Sequence, residues 1–169
     1  MKVSRLFSAW LFLQTGVPVG AQGDALVVEL QARTDGQQRT ATGVSTAGTA
    51  GTRPVLTATA GHSLSVQWFI VNQDKTAGLA DVTVHCFLTK ENAIGQSGAP
   101  QLSSDVTFES ALVMDFAPQA KSAADFVLQA PEPGNYLLRV ETVGALRQHG
   151  HEHFAAIDVR VQRAGEKKG

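Results

Sequence analysis

The sequence is poor in the residues that staple, kink or charge a fold. Cys86 is the single cysteine in 169 residues, so no internal disulfide can form. A thiol without a partner in an oxidising compartment survives best when it is buried. Charge is scarce and balanced, 14 Lys and Arg against 15 Asp and Glu. That balance excludes the basic face a nucleic-acid backbone requires. The only basic run is Lys167-Lys168. The longest apolar run, Leu6 to Val17, falls well short of the ~20 residues that cross a bilayer as a helix. No amphipathic helix of useful length is present, which leaves β structure to bury the apolar residues.

What the N-terminus does contain is a processing signal. Lys2 and Arg5 precede the apolar run, and Val19-Gly20-Ala21 places small residues where a signal peptidase reads. No cysteine follows the apolar run, so the lipid-anchored form of such a signal is absent. Cleavage is expected after Ala21, with residues 1–21 removed. Taking 21 residues from 169 leaves 148, enough for one domain with its own core. The product is expected to be exported, periplasmic or extracellular, with no membrane span.

Seven strand-like segments follow between turn signals. The first is Ala25–Ala32. A Gly/Thr/Ala/Gln-rich stretch from Arg33 to Pro54 has almost no apolar anchors and reads as a flexible segment. Residues 22–54 are therefore expected to be an edge strand plus linker, and 55–163 the domain proper, with Val55–Thr59 continuing the edge. In Ser63–Asn72, residues Leu64, Val66, Trp68 and Ile70 share one face. In Asp81–Lys90, residues Val82, Val84, Cys86 and Leu88 do. Val106–Phe116, Ser122–Gln129, Tyr136–Val143 and Phe154–Gln162 complete the set, and 164–169 read as a disordered tail. The third, sixth and seventh segments are expected to share one sheet with the sixth in the middle. That arrangement turns His85, Glu141, Asp158 and Arg160 toward solvent. Strands at this spacing with polar turns predict a seven-stranded antiparallel Greek-key β-sandwich.

Trp68 on the second segment, with Pro133-Gly134-Asn135-Tyr136 opening the sixth, resembles fibronectin type III and bacterial immunoglobulin-like domains over roughly Leu56 to Gln162. A tyrosine just past such a corner is the tyrosine corner of these sandwiches. The resemblance implies fold more than function, since sandwiches of this kind serve adhesion, spacing, ligand binding and enzyme accessory roles. The paired cysteines of the antibody type are missing. The last part of the chain, Arg139 to Asp158, is similar to short exported bacterial proteins of unassigned activity.

The one chemical lead is His149-Gly-His151-Glu-His153, three imidazoles in five residues beside Glu152. Imidazole is the commonest ligand for zinc and copper. On a strand, residues i and i+2 stand ~6.5–7 Å apart and can converge on one ion, whereas i and i+4 stand ~13 Å apart and need a curved backbone. Strand parity points the three histidines inward with Ile157 and Val159 and points His85 outward, which weighs against His85 as a further ligand. The competing reading is a turn of half-exposed histidines bonded to backbone, and a mild pH response is a third.

Other constellations read as structure. His85 and Cys86 are strand neighbours facing opposite ways and cannot act as base and nucleophile together. Ser97, Ser103, Ser104 and Asp105 carry no nucleophile elbow, and Asp115, Asp125 and Glu132 lack EF-hand spacing. Copper/zinc superoxide dismutase and blue-copper sites need ligands this chain does not have. Phe69 and Phe87, on outward phases, are the aromatic candidates for partner contact, and His62 carries no signal. The expectation is an exported, non-catalytic binding or structural module of the bacterial envelope with a protein or envelope partner and no cofactor. The alternative is a periplasmic copper or zinc protein using His149, His151 and His153, with Glu152 or His85 as further ligands.

Overall fold

Alternating apolar residues fold into ten strands in the computed structural model, which describes residues 26–45, 52–95, 105–143 and 153–165. They are β1 (Leu26–Thr34), β2 (Gln37–Thr42), β3 (Val44–Ser45), β4 (Val55–Thr59), β5 (Ser63–Asn72), β6 (Leu79–Glu91), β7 (Val106–Phe116), β8 (Lys121–Gln129), β9 (Gly134–Val143) and β10 (His153–Gln162). One sheet has the order β2-β1-β5-β8; the other runs β3-β10-β9-β6-β7, with β4 also paired to β10. The protein is an all-β sandwich. All seven expected segments are strands; Val55–Thr59, expected to continue the edge strand, is a separate strand, and β2 and β3 were not anticipated.

The additions correct the reading of residues 22–54. β1 is no edge strand. It lies between β2 and β5, with Val28 and Leu30 fully buried. Asp35 and Gly36, both at positive φ, turn the chain back so that Thr34 faces Gln37 and Glu29 faces Thr42. This is the Asp-Gly hairpin signal, and its second strand is stabilised by backbone pairing rather than by apolar anchors. β4 does not continue β1. It pairs in parallel with β10, Asp158 opposite Val55 through Gln162 opposite Thr59, so the sandwich is not wholly antiparallel.

Gly43 marks the passage from one sheet to the other. β2 before it belongs to the smaller sheet, and Val44 after it faces Phe154 in the larger. Its N–H donates to the Val28 carbonyl. A Cβ here would stand 2.8 Å from that oxygen and 3.0 Å from the Phe154 carbonyl. Two backbones from different sheets close on this residue, which leaves room only for glycine.

The core lies between the sheets. Leu64, Val66, Trp68 and Ile70 of β5 meet Val84, Cys86 and Leu88 of β6, Tyr136, Leu138 and Val140 of β9, and Ile157 and Val159 of β10. Trp68 is 2% exposed and Tyr136 4%. The Tyr136 hydroxyl donates to the Glu132 carbonyl at 2.8 Å, which ties the corner to the strand it opens. At one side β7 and β8 close the sandwich through stacked Phe108 and Phe126, 5.1 Å between ring centres.

Candidate functional site: the outer face of the larger sheet

Residues at alternate positions of β6, β9 and β10 leave the core and form the other face of the larger sheet. Register sets His85 opposite Glu141 and Phe87 opposite Arg139, then Arg139 opposite Ala156 and Leu137 opposite Asp158. The expected solvent face is not one. Leu137 and Asp158 are fully buried, Arg139 and Glu141 are 4% and 5% exposed, and Phe154 and Ala156 join Leu137 in a second apolar cluster. Arg160 alone of the four residues expected here is exposed. Phe87, expected to be available for partner contact, is 5% exposed and packs against charge instead.

Burying charge on this face requires pairing it. The Arg139 guanidinium lies 4.4 Å from the centre of the Phe154 ring and 5.8 Å from that of Phe87, and it forms an ion pair with Glu141. Its positive charge is thereby shared between two π faces and a carboxylate. A second network lies toward the opposite end of β10. Arg53 Nε is 2.8 Å from Asp158 Oδ1, and its Nη2 donates to Glu91 Oε2 at 3.0 Å. The Gly95 N–H donates to the other Asp158 oxygen, and the Asp158 N–H to the Pro54 carbonyl. Arg53 and the turn at 91–95 thus fold over the sheet and take Asp158 out of water. Desolvation raises the Glu91 carboxyl above its usual range, with Arg53 opposing the shift and Asp158 adding to it.

Between β6, β7 and β9 this face opens into a cleft of about 250 Å³ lined by His85, Phe87, Thr89, Val106, Glu109 and Glu141. His85 Nδ1 stands 3.9 Å from Glu141 Oε1, beyond direct hydrogen-bond length. The imidazole is held beside the carboxylate with one third of its side chain exposed. The cleft combines an apolar floor, an imidazole, a hydroxyl and two carboxylates within a small volume.

The histidine cluster is only partly visible. His149, His151 and Glu152 lie outside the described residues. His153 opens β10 opposite Thr142, is 9% exposed, and shares the inward phase of Ala155 and Ile157. His85 sits on the outward face, so the sheet separates it from His153. Among the described residues no group of three or more His, Cys, Asp or Glu side chains is placed to hold a metal. Cys86 is in the core, and burial pushes its thiol up to about 12.

Sequence reasoning missed Arg53 and Glu91, the first placed in a linker and the second in the loop after Asp81–Lys90, and it missed His62. That imidazole is 2.6 Å from Asp35 Oδ1, and Asp35 Oδ2 accepts the Thr59 N–H. The pairing clips the β1–β2 turn to the turn after β4. No local motif announces any of these pairs. The readable signal was Leu137-x-Arg139-x-Glu141, a face on which apolar and charged residues mix, as a half-covered surface would.

No family model matches the chain, and no curated protein does. Solved structures that resemble it include the C-terminal domain of wzt, at 10% identity and a TM-score of 0.47 over 83% of this chain and 74% of that one. The catalytic domain of a lytic polysaccharide monooxygenase from Listeria monocytogenes resembles it at 19% identity and a TM-score of 0.34, over 63% of this chain and 59% of that one. A family 123 glycoside hydrolase from Clostridium perfringens does so at 11% identity and a TM-score of 0.41, over 65% and 23%. The chain therefore spans about three fifths or less of the length of these last two. These are likenesses of fold. No family match supports the narrower fibronectin type III likeness. The expectation of a non-catalytic envelope module is corrected, because the structures resembling this one include the catalytic domain of a lytic polysaccharide monooxygenase. The reason is general: the fold is a scaffold, and activity is set by the site it carries.

Proposed function

We propose that this protein recognises a hydroxyl-rich ligand, a saccharide unit, in the outer-face cleft of its larger sheet. One observation carries the reading: His85, Thr89, Glu109 and Glu141 surround an apolar floor of Phe87 and Val106 in about 250 Å³. Carboxylates accept hydrogen bonds from sugar hydroxyls, imidazole and hydroxyl groups donate or accept, and the apolar floor suits a C–H ring face. The size is just under the ~300–1,000 Å³ of ordinary small-molecule sites, which favours one monosaccharide unit over a long chain. Charge argues for a neutral ligand. Glu141 is already matched by Arg139, which leaves too little negative charge in the cleft to offset desolvation of a cation.

The reading is tested by calorimetry against a panel of mono- and oligosaccharides, followed by His85→Ala and Glu109→Ala. Each substitution removes a hydrogen-bonding group from the rim and is expected to weaken binding about tenfold, the equivalent of ~1.4 kcal/mol. Val127→Ala, on the other sheet, is expected to leave affinity unchanged. Absence of saccharide binding, or binding indifferent to both rim substitutions, would overturn the proposal.

A further inference from the structure

Edge strands expose unpaired N–H and C=O groups, and proteins blunt them with lysine, proline, bulges or cover. β8 carries Lys121 and β2 carries Arg39. β7, the last strand of the larger sheet, reads Val-Thr-Phe-Glu-Ser-Ala-Leu-Val-Met-Asp-Phe, eleven residues without a lysine, arginine or proline. Three of the four large exposed hydrophobics among the described residues lie on it: Val106, Leu112 and Val113 at 47%, 48% and 67% exposed. The fourth is Val127 on β8.

The regular part of β7 is seven residues long. Pairing with β6 is in continuous register from Phe108 to Met114 and irregular beyond each end. Ala111 is the midpoint. We infer that two copies of this chain pair through β7, antiparallel about a two-fold axis at Ala111, which joins their larger sheets into one. In this register Phe108 faces Met114 of the second copy, Glu109 faces Val113, Ser110 faces Leu112, and Ala111 faces itself. No like charges are directly opposed; Asp115 faces Thr107 of the second copy, with Glu109 of that copy its diagonal neighbour ~7–8 Å away. The two Glu109 carboxylates stand four residues out of step, about 13 Å along the strand. Phe108 meets a thioether, a favourable sulfur–aromatic contact, and each exposed Leu112 and Val113 is covered. A foreign strand would satisfy the same backbone groups, whereas a second copy repeats the Phe108–Met114 contact at both ends. The pairing also touches the cleft, because Glu109 lines it and Val113 of the second copy would stand alongside. The inference itself rests on the strand and not on what the cleft binds.

One edge-to-edge strand pair buries less than the ~1,200 Å² of a standard interface, so the dimer is expected to be reversible and concentration-dependent. Sedimentation equilibrium of the full chain should show the average mass rising toward twice the monomer through the micromolar range. Ala111→Lys opposes two like charges at the axis and should abolish the rise, with circular dichroism confirming the native sheet spectrum. Ala111→Cys tests the register itself, since directly opposed Cβ atoms ~4.5–5.5 Å apart approach disulfide reach. This variant should cross-link under mild oxidation much faster than Val127→Cys on β8, and Cys86 is buried and silent. A chain that stays monomeric at high micromolar concentration, a dimer indifferent to Ala111→Lys, or equal cross-linking of the two cysteine variants would each overturn the inference.

Discussion

Replacing Gly43 with alanine tests whether the two sheets meet where the structure brings them together. The new Cβ would lie 2.8 Å from the Val28 carbonyl oxygen, 3.0 Å from that of Phe154 and 3.1 Å from the Val28 Cβ. The two oxygens are backbone atoms, one in each sheet, so no side chain can rotate away. Relief requires one sheet to shift by several tenths of an ångström in a close-packed interior, and such overpacking costs about 1–3 kcal/mol. Alanine also narrows the unfolded ensemble and regains ~0.4–1 kcal/mol, leaving a net loss of roughly 1–2 kcal/mol. For a domain of this size the melting temperature should fall by about 3–8 °C. Gly134→Ala is the matched control. Its Cβ would meet only the Tyr136 ring, at 3.5 Å and beyond, an ordinary contact, so the variant should melt at or slightly above the wild type. Thermal unfolding followed by circular dichroism reads both. Equal melting temperatures for Gly43→Ala and Gly134→Ala would refute the close approach of β1 and β10 at this residue.

Three further outcomes follow from single contacts. Tyr136→Phe removes the 2.8 Å bond to the Glu132 carbonyl and should cost ~0.5–1.5 kcal/mol in urea unfolding. Glu91 has a folded-state pKa above its unfolded value because of burial. The folded chain therefore binds that proton more tightly, and Glu91 favours the native state least once pH has risen from the unfolded pKa through the folded one. Glu91→Gln, which can still accept from Arg53, should remove that decline, and stability measured from pH 4 upward against the wild type would show it. Cys86, pushed up to about 12 by burial, should resist thiol reagents at neutral pH until the chain is unfolded. Rapid labelling of the native protein would contradict its place in the core.

Much of the sandwich was readable because period-two alternation is a local property. Leu64, Val66, Trp68 and Ile70 declare one buried face without reference to any other strand. Tyr136 after Pro133-Gly134 declares a corner, and its bond to Glu132 spans only four residues. β2 was not readable in this way. Gln37–Thr42 has no apolar alternation, and its strand exists because the Asp35-Gly36 turn sets it against β1. The candidate site was less legible still. Arg53 sits in a stretch whose composition reads as linker, and only folding brings it to Glu91 and Asp158. Glu141 and Asp158 looked like solvent-facing charges by parity, and parity does not say whether another segment covers the face.

By itself, the sequence determined the class of structure and the inner face of most strands, because burial of alternate apolar side chains is decided residue by residue along an extended chain. Tertiary structure decided everything that depends on residues distant in sequence. It set the parallel β4–β10 pairing, the passage between sheets at Gly43, the covering of the outer face by Arg53, and the cleft where β6, β7 and β9 run side by side. These are outcomes of which strands become neighbours and in what register, and no local pattern encodes a neighbour.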